Sequence, residues 1–156
     1  MLRYLFLSIL ILFIDQLTKW KMVKVVSLHD FVEVTPYFNL TMAHNYGAAF
    51  SFLADAGGWQ RHFFIIITVI ISLVLVVWLS KLERYKRGEA FALSLILGGA
   101  LGNLVDRVIY GYVVDFIDIH YAGYHWPAFN VADMAIVAGA ILLIMDSFKK
   151  QDDWIK

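Results

Sequence analysis

The stretch from Phe63 to Leu79 is apolar throughout, with Thr68 and Ser72 its only weakly polar members. A bilayer core about 30 Å thick needs about 20 helical residues to cross, with about 17 at the lower end, so this stretch can span a membrane. Three more apolar stretches accompany it: Leu2 to about Thr18, Ala90 to Ile109, and Val131 to Met145. Any one of them alone fits a buried helix of a soluble protein. Together, in 156 residues of which 61% are hydrophobic and 17% charged, they exceed what one small core can hide. The expected fold is an all-α integral membrane protein, a single domain over residues 1–156. Its four transmembrane helices fall at about 2–20, 62–79, 90–109 and 131–147, with outer segments at about 21–61 and 110–130 and a cytoplasmic loop at about 80–89.

The short loops orient the spans, because cytoplasmic loops collect Lys and Arg. Lys81, Arg84, Lys86 and Arg87 join spans two and three, and Lys149 and Lys150 follow span four, whereas the segment from Tyr110 to Asn130 has no cation. The basic loop and both termini are therefore expected in the cytoplasm. Lys19, Lys21 and Lys24 oppose this at the outer end of span one, and are read as snorkelling beside Trp20. No small-residue cleavage site closely follows span one, so it is expected to stay as an anchor. Any chemistry should face outward. Alternating stretches there, Phe31–Val34 and Tyr112–Ile119, predict strands of a small outer β-sheet, since irregular backbone near lipid must find partners. The small residues Gly47, Ala48 and Ala49 between Tyr46 and Phe50 predict a tight turn into a short interfacial helix that Gly57-Gly58 ends.

Several chemistries are excluded early. Cysteine is absent, which removes disulfides, thiolate zinc sites and thiol nucleophiles. Gly-x-Ser-x-Gly and His-Glu-x-x-His are also missing, and Ser80-Lys81 lies on the cytoplasmic side. His120 and His125 with Asp118 offer metal donors, but their loop spacing favours interfacial anchoring, and no metal or cofactor is expected. Thirteen basic and thirteen acidic residues leave no charge that would call for nucleic acid.

Ionisable groups within spans need a reason. Asp15 and Lys19, four apart on one helix, read as a structural pair fixing the outer end of span one. Asn103, Asp106 and Arg107 share a face near the outer end of span three. There Asp106 either joins the site or satisfies Arg107 and nearby backbone, while Asn103 and Arg107 suit a peptide's carbonyls and amides. Asn130 reads as the N-cap of span four and Asp133 as its N3 acid. Capping accounts for Asp133 alone, yet Asp115 and Asp133 both fall at the outer boundary among apolar neighbours, where two carboxylates can meet. Such a pair shares a proton and supplies base and acid together. Asp133, near the positive end of a helix, is then the ionised member and Asp115 the protonated one.

Five blocks carry a resemblance: Asp15-Gln16-Leu17-Thr18-Lys19, Asn45-Tyr46-Gly47-Ala48-Ala49-Phe50, Gly102-Asn103-Leu104-Val105-Asp106-Arg107, Val113-Val114-Asp115-Phe116 and Phe129-Asn130-Val131-Ala132-Asp133. In this order they resemble the motif set of the lipoprotein signal peptidases, signal peptidase II. The resemblance implies an aspartic endopeptidase of the bacterial cytoplasmic (inner) membrane, working at its outer face. It implies removal of signal peptides from prolipoproteins, before a Cys already carrying diacylglyceryl. Partners implied are those prolipoproteins, membrane lipids and globomycin-like inhibitors. Position by position, its catalytic pair falls on Asp115 and Asp133. Asn45, Asn103, Arg107 and Asn130 fall on positions that hold substrate or support the site, and Asp15 and Lys19 on a structural polar pair. Gly47 is read as allowing close approach of the substrate backbone. The competing expectation is a small transporter or proton-pathway subunit, whose polar groups would sit at mid-membrane depth rather than at one interface.

Overall fold

The computed structural model describes residues 1–47, 52–54 and 57–152, with side chains through Phe148. A 3-10 turn, Leu2–Tyr4, leads into α1 (Leu5–Val25); the other helices are α2 (Trp59–Lys81), α3 (Arg87–Ile109) and α4 (Val131–Asp152). Strands β1 (Phe31–Thr35), β2 (Phe38–Asn45), β3 (Val113–Tyr121) and β4 (Tyr124–His125) form one antiparallel sheet in the order β1-β2-β3-β4. An all-α description is therefore too narrow, because a complete four-stranded sheet stands beside the helices. Residues 48–51 and 55–56, where the interfacial helix was expected, lie outside the described residues.

Three helices, α2, α3 and α4 over Val131–Phe148, are long and apolar enough to cross a membrane. The C-terminal half of α1 holds Asp15, Lys19, Lys21 and Lys24, and α1 is not among these three. Its packing is inverted relative to a soluble helix: Ser8, Asp15, Lys19 and Met22 are buried, while Phe6, Ile9, Phe13 and Trp20 are exposed. Lys24 places its Nζ 3.6 Å from the centre of the Trp20 ring, so this cation does lie along an aromatic neighbour. In α2 the exposed residues include Ile66, Ile70, Leu73, Val74 and Val77, again an apolar surface with no protein over it.

The central helix is α3. Small residues let its neighbours come close: a Cβ on Gly98 would stand 2.8 Å from the Ser8 carbonyl oxygen of α1, and one on Gly99 would strike the Ala132 carbonyl of α4. Ser8 Oγ donates to the Ser94 carbonyl at 2.9 Å across the first of these contacts. Two apolar cores bracket the bundle. One gathers Leu75, Leu79, Leu82, Ala90, Leu93 and Leu97 at the α2–α3 turn. The other joins Met22 of α1 and Val26 just after it to Met42, Val114 and Phe116 of the sheet. Along α1 and α3 lie the buried polar residues Ser8, Asp15, Lys19, Ser94, Asn103 and Asp106.

Strand β2 has no counterpart among the expected strands. Its buried residues, Asn39 and Met42, are three apart, because the pairing with β3 slips between Leu40 and Ala43. That irregularity erases the period-two signature on which a strand is recognised. The β3–β4 hairpin turns on Ala122 and Gly123 with φ of 49° and 83°, the left-handed pair that a two-residue hairpin requires.

Candidate active site

The site is assembled from four chain segments. β2 ends at Asn45, β3 carries Asp115, α3 carries Asn103 and Arg107, and Asn130 and Asp133 open α4. The start of α4 is a reciprocal cap: Asn130 Oδ1 accepts from the Asp133 N–H at 2.9 Å, and Asp133 Oδ2 accepts from the Asn130 N–H at 3.2 Å. The Asn130 side chain also turns its Nδ2 to Asp115 Oδ1 at 2.6 Å. Asn45 Nδ2 donates to the other Asp115 oxygen at 3.1 Å, and Asn103 Nδ2 donates to Asp133 Oδ1 at 2.8 Å. Three asparagines thus fix two carboxylates, and one of the three, Asn130, touches both.

Asp115 is 3% exposed. Its carboxyl is pushed up to about 7, first by burial and then by the Asp133 charge, against hydrogen bonds from Asn45 and Asn130 and the Lys19 cation. Like charges in a shared, poorly hydrated space disfavour double ionisation, so one proton on the pair is the stable condition near neutrality.

Behind Asn103 lies a second layer. Lys19 Nζ reaches Asp15 at 2.8 Å, Asp106 at 2.9 Å and Asn103 Oδ1 at 3.0 Å, using all three of its hydrogens. Asp15 accepts from the Ala132 N–H at 2.9 Å, and Asp106 from the Val114 N–H at 3.1 Å. Asp15, Lys19 and Asp106 consequently tie α1, α3, β3 and the first turn of α4 together. Asp106 does not pair with Arg107; its partners are Lys19, Val114 and Gln16.

Arg107 donates from one terminal nitrogen to the Gly47 carbonyl at 2.7 Å, and its guanidinium carbon lies 5.2 Å from the centre of the Phe64 ring. The Gly47 N–H in turn donates to Asn45 Oδ1 at 2.9 Å. A Cβ on Gly47 would strike the Phe52 carbonyl oxygen, so the space beside this glycine is taken by the chain's own backbone rather than left open for a substrate. Two contributors carry no role in the sequence reading. Gln16 Nε2 bridges Asp106 Oδ1 at 2.8 Å and the Gly102 carbonyl at 3.1 Å, and Arg61 donates to the Arg107 and Val108 carbonyls at 2.9 and 2.8 Å, closing the end of α3. Neither has a local signal, because each partner is remote in sequence.

Asp118, His120 and His125 lie apart from this site. His125 Nδ1 stands 2.9 Å from Asp118 Oδ1, Asn39 Nδ2 donates to Asp118 Oδ2 at 2.9 Å, and the two imidazoles stack at 4.9 Å. Among the described residues no three His, Asp or Glu side chains are grouped to hold a metal. A cavity of about 530 Å³ flanks the Lys19 layer, walled by Trp20, Val26, Met42, His44 and Tyr112. His44 stacks on Tyr112 at 3.8 Å there, and burial lowers the His44 pKa, with His29 adding to the effect.

The family model described as Signal peptidase (SPase) II matches residues 7–149. The chain belongs to the signal peptidase II family. It is thereby a peptidase of the aspartic class. A signal peptidase II relative, the "Lipoprotein signal peptidase" of Alteromonas mediterranea, is 51% identical over 151 residues, 97% of this chain and 83% of that protein. The protein of that name from Pseudomonas putida is 52% identical over 152 residues, 96% of this chain and 89% of its own. Two solved structures of a bacterial membrane enzyme, obtained in meso at 2.3 and 1.9 Å resolution, are each 38% identical to this signal peptidase II chain. They superpose with TM-scores of 0.87 and 0.82, covering 97% and 94% of this chain and 90% and 93% of theirs.

Proposed function

We propose that this signal peptidase II removes signal peptides from diacylglyceryl-modified prolipoproteins, cleaving before the lipid-bearing Cys with Asp115 and Asp133 as the catalytic pair. The observation that carries the pair is Asn130, whose side chain donates to Asp115 and whose N–H donates to Asp133. Ionised Asp133, at the positive end of α4 and receiving two N–H donors, takes a proton from the attacking water. Protonated Asp115 donates to the scissile carbonyl oxygen as it gains charge, and on collapse a proton passes to the leaving amine. The raised titration point of Asp115 supports that division of labour. Asn45, Asn103, Asn130 and Arg107 hold the surrounding backbone, including the Gly47 carbonyl, and the substrate strand, while Asp15, Lys19 and Asp106 keep the helices in register.

The proposed setting is the bacterial cytoplasmic membrane, with four spans, both termini inside and the pair at the outer surface. The inverted face of α1 supports counting it as a span, since Asp15 and Lys19 are hidden in the bundle while Phe6, Ile9, Phe13 and Trp20 face outward. Globomycin-like peptides are expected inhibitors, because they would compete for the backbone groups that hold substrate. The deciding assay is cleavage of a diacylglyceryl-modified prolipoprotein by purified protein in lipid. Asp115→Asn and Asp133→Asn should each lose cleavage by about 10³-fold or more while remaining folded, and Asp118→Asn, on the same strand but away from the pair, should retain it. Near-normal turnover by either of the first two variants would remove that residue from the chemistry.

A further inference from the structure

A second cavity, of about 360 Å³, lies at the other end of the bundle, where the 3-10 turn before α1 meets the α2–α3 turn. It is lined by Met1, Leu2, Arg3 and Arg84. No acidic side chain lines it, and among the described residues neither guanidinium is in a salt bridge. The acidic residues of this turn are engaged elsewhere: Glu83 with Lys86 at 3.9 Å, and Glu89 with the Trp78 indole N–H at 3.0 Å. Arg3 packs by Tyr4, its guanidinium carbon 5.6 Å from the ring centre. Around this basic cleft the surface is apolar, with Leu2 51% and Phe6 72% exposed.

We infer that the Arg3–Arg84 cleft binds the phosphate of an anionic phospholipid whose acyl chains lie along the exposed apolar face of α1. With no carboxylate among the residues lining the cavity, Arg3 and Arg84 supply guanidinium donors of the kind that engages the oxygens of a phosphodiester in pairs. A zwitterionic lipid brings its own cation and cancels part of that attraction, so the cleft selects net negative head groups. The adjoining apolar surface distinguishes a lipid from free phosphate, because only an amphiphile satisfies both halves of the site. The inference rests on the membrane reading of the fold and not on the peptidase chemistry.

Its test is lipid retention by the purified full chain, counted by native mass spectrometry after exchange into mixed phosphatidylglycerol and phosphatidylcholine. The wild type should keep one phosphatidylglycerol in preference to phosphatidylcholine. Arg3→Gln combined with Arg84→Gln should weaken that retention by about tenfold or more, while Lys21→Gln combined with Lys24→Gln, the same loss of two charges at the opposite end of α1, should leave it unchanged. Equal retention by the double variant overturns the site, as does equal retention of the two lipids. Displacement of phosphatidylglycerol by millimolar inorganic phosphate would overturn the lipid as its occupant. Prolipoprotein cleavage by the double variant, measured in the same preparation, should proceed at the wild-type rate in detergent, so failure of the lipid site and failure of the peptidase reading give different results.

Discussion

At Asp115 the proton and the fold are linked. An ordinary aspartate titrates near 3.8, whereas this one is pushed up to about 7. Between those values the native state holds a proton that the unfolded chain has released, so the free energy of unfolding falls as pH rises through the window. The melting temperature of the solubilised protein should therefore decline from about pH 4 to pH 7, and Asp115→Asn, which cannot titrate, should show a shallower decline in the same scan. In the same sense, kcat/KM for cleavage should fall as pH rises through about 7, because the acid member of the pair is lost. Lys19 makes the opposite case, a charge whose removal strands its partners. Lys19→Met leaves Asp15 and Asp106, both 0% exposed, without their shared cation. It should destabilise by about 3–5 kcal/mol in thermal or denaturant unfolding, and adding Asp106→Asn should restore part of it. The Asn130 and Asp133 cap was legible because its partners are three residues apart. The joining of Asp115 to Asn45, and of Gln16 to Asp106, was not, because those distances are closed only by tertiary packing.

Among elements, α3 shows most directly how composition becomes geometry. Its glycines are not there for backbone freedom; they mark where a neighbouring backbone lies too close for a side chain. Gly98→Ala would meet Ile11 Cβ and the Ser8 carbonyl at 2.8 Å, and Gly99→Ala the Ala132 carbonyl. Each gains about 1 kcal/mol of helix propensity, and each should still lose a net ~1–3 kcal/mol from overpacking against rigid backbone. Gly88→Ala, whose nearest neighbour would be Asp146 Oδ1 at 3.8 Å, should be neutral or stabilising in the same unfolding assay. Gly98 and Gly102 stand four apart in the sequence, a small-residue spacing that allows close approach of another helix. It did not say which helix, and here the answer is divided, since Gly98 faces α1 while Gly99 faces α4. Strands fared less evenly. β1 and β3 carry alternation and were legible; β2, bent by its slip and lined with Asn39, Thr41, His44 and Asn45, reads as polar coil until β3 is placed against it.

At the scale of the whole molecule, the polar interior and apolar exterior of the helices reverse the soluble pattern, and that reversal was already implied by how little charge the chain contains. The number of crossings depends on α1, which, unlike α2, α3 and α4, is not among the helices apolar enough along their length to cross a membrane. If its buried face makes it a span, Leu2 lies on the side of the α2–α3 turn and Leu28 on the side of the sheet. If α1 lies along the outer surface instead, Leu2 and Leu28 share the sheet's side. The absence of native cysteine makes the question direct, because a single introduced thiol is the only one a maleimide can label. Leu2→Cys, Leu28→Cys, Tyr85→Cys and Tyr124→Cys each replace a residue at least 46% exposed. Under a membrane-impermeant maleimide applied to spheroplasts, Leu28→Cys and Tyr124→Cys should label, while Leu2→Cys and Tyr85→Cys should label only after lysis. Labelling of Leu2→Cys in intact spheroplasts would reduce the crossings to three. The carboxylate pair would still lie beside the sheet, but Arg3 would then be separated by the membrane from Arg84, and the lipid cleft they form would not exist in the cell.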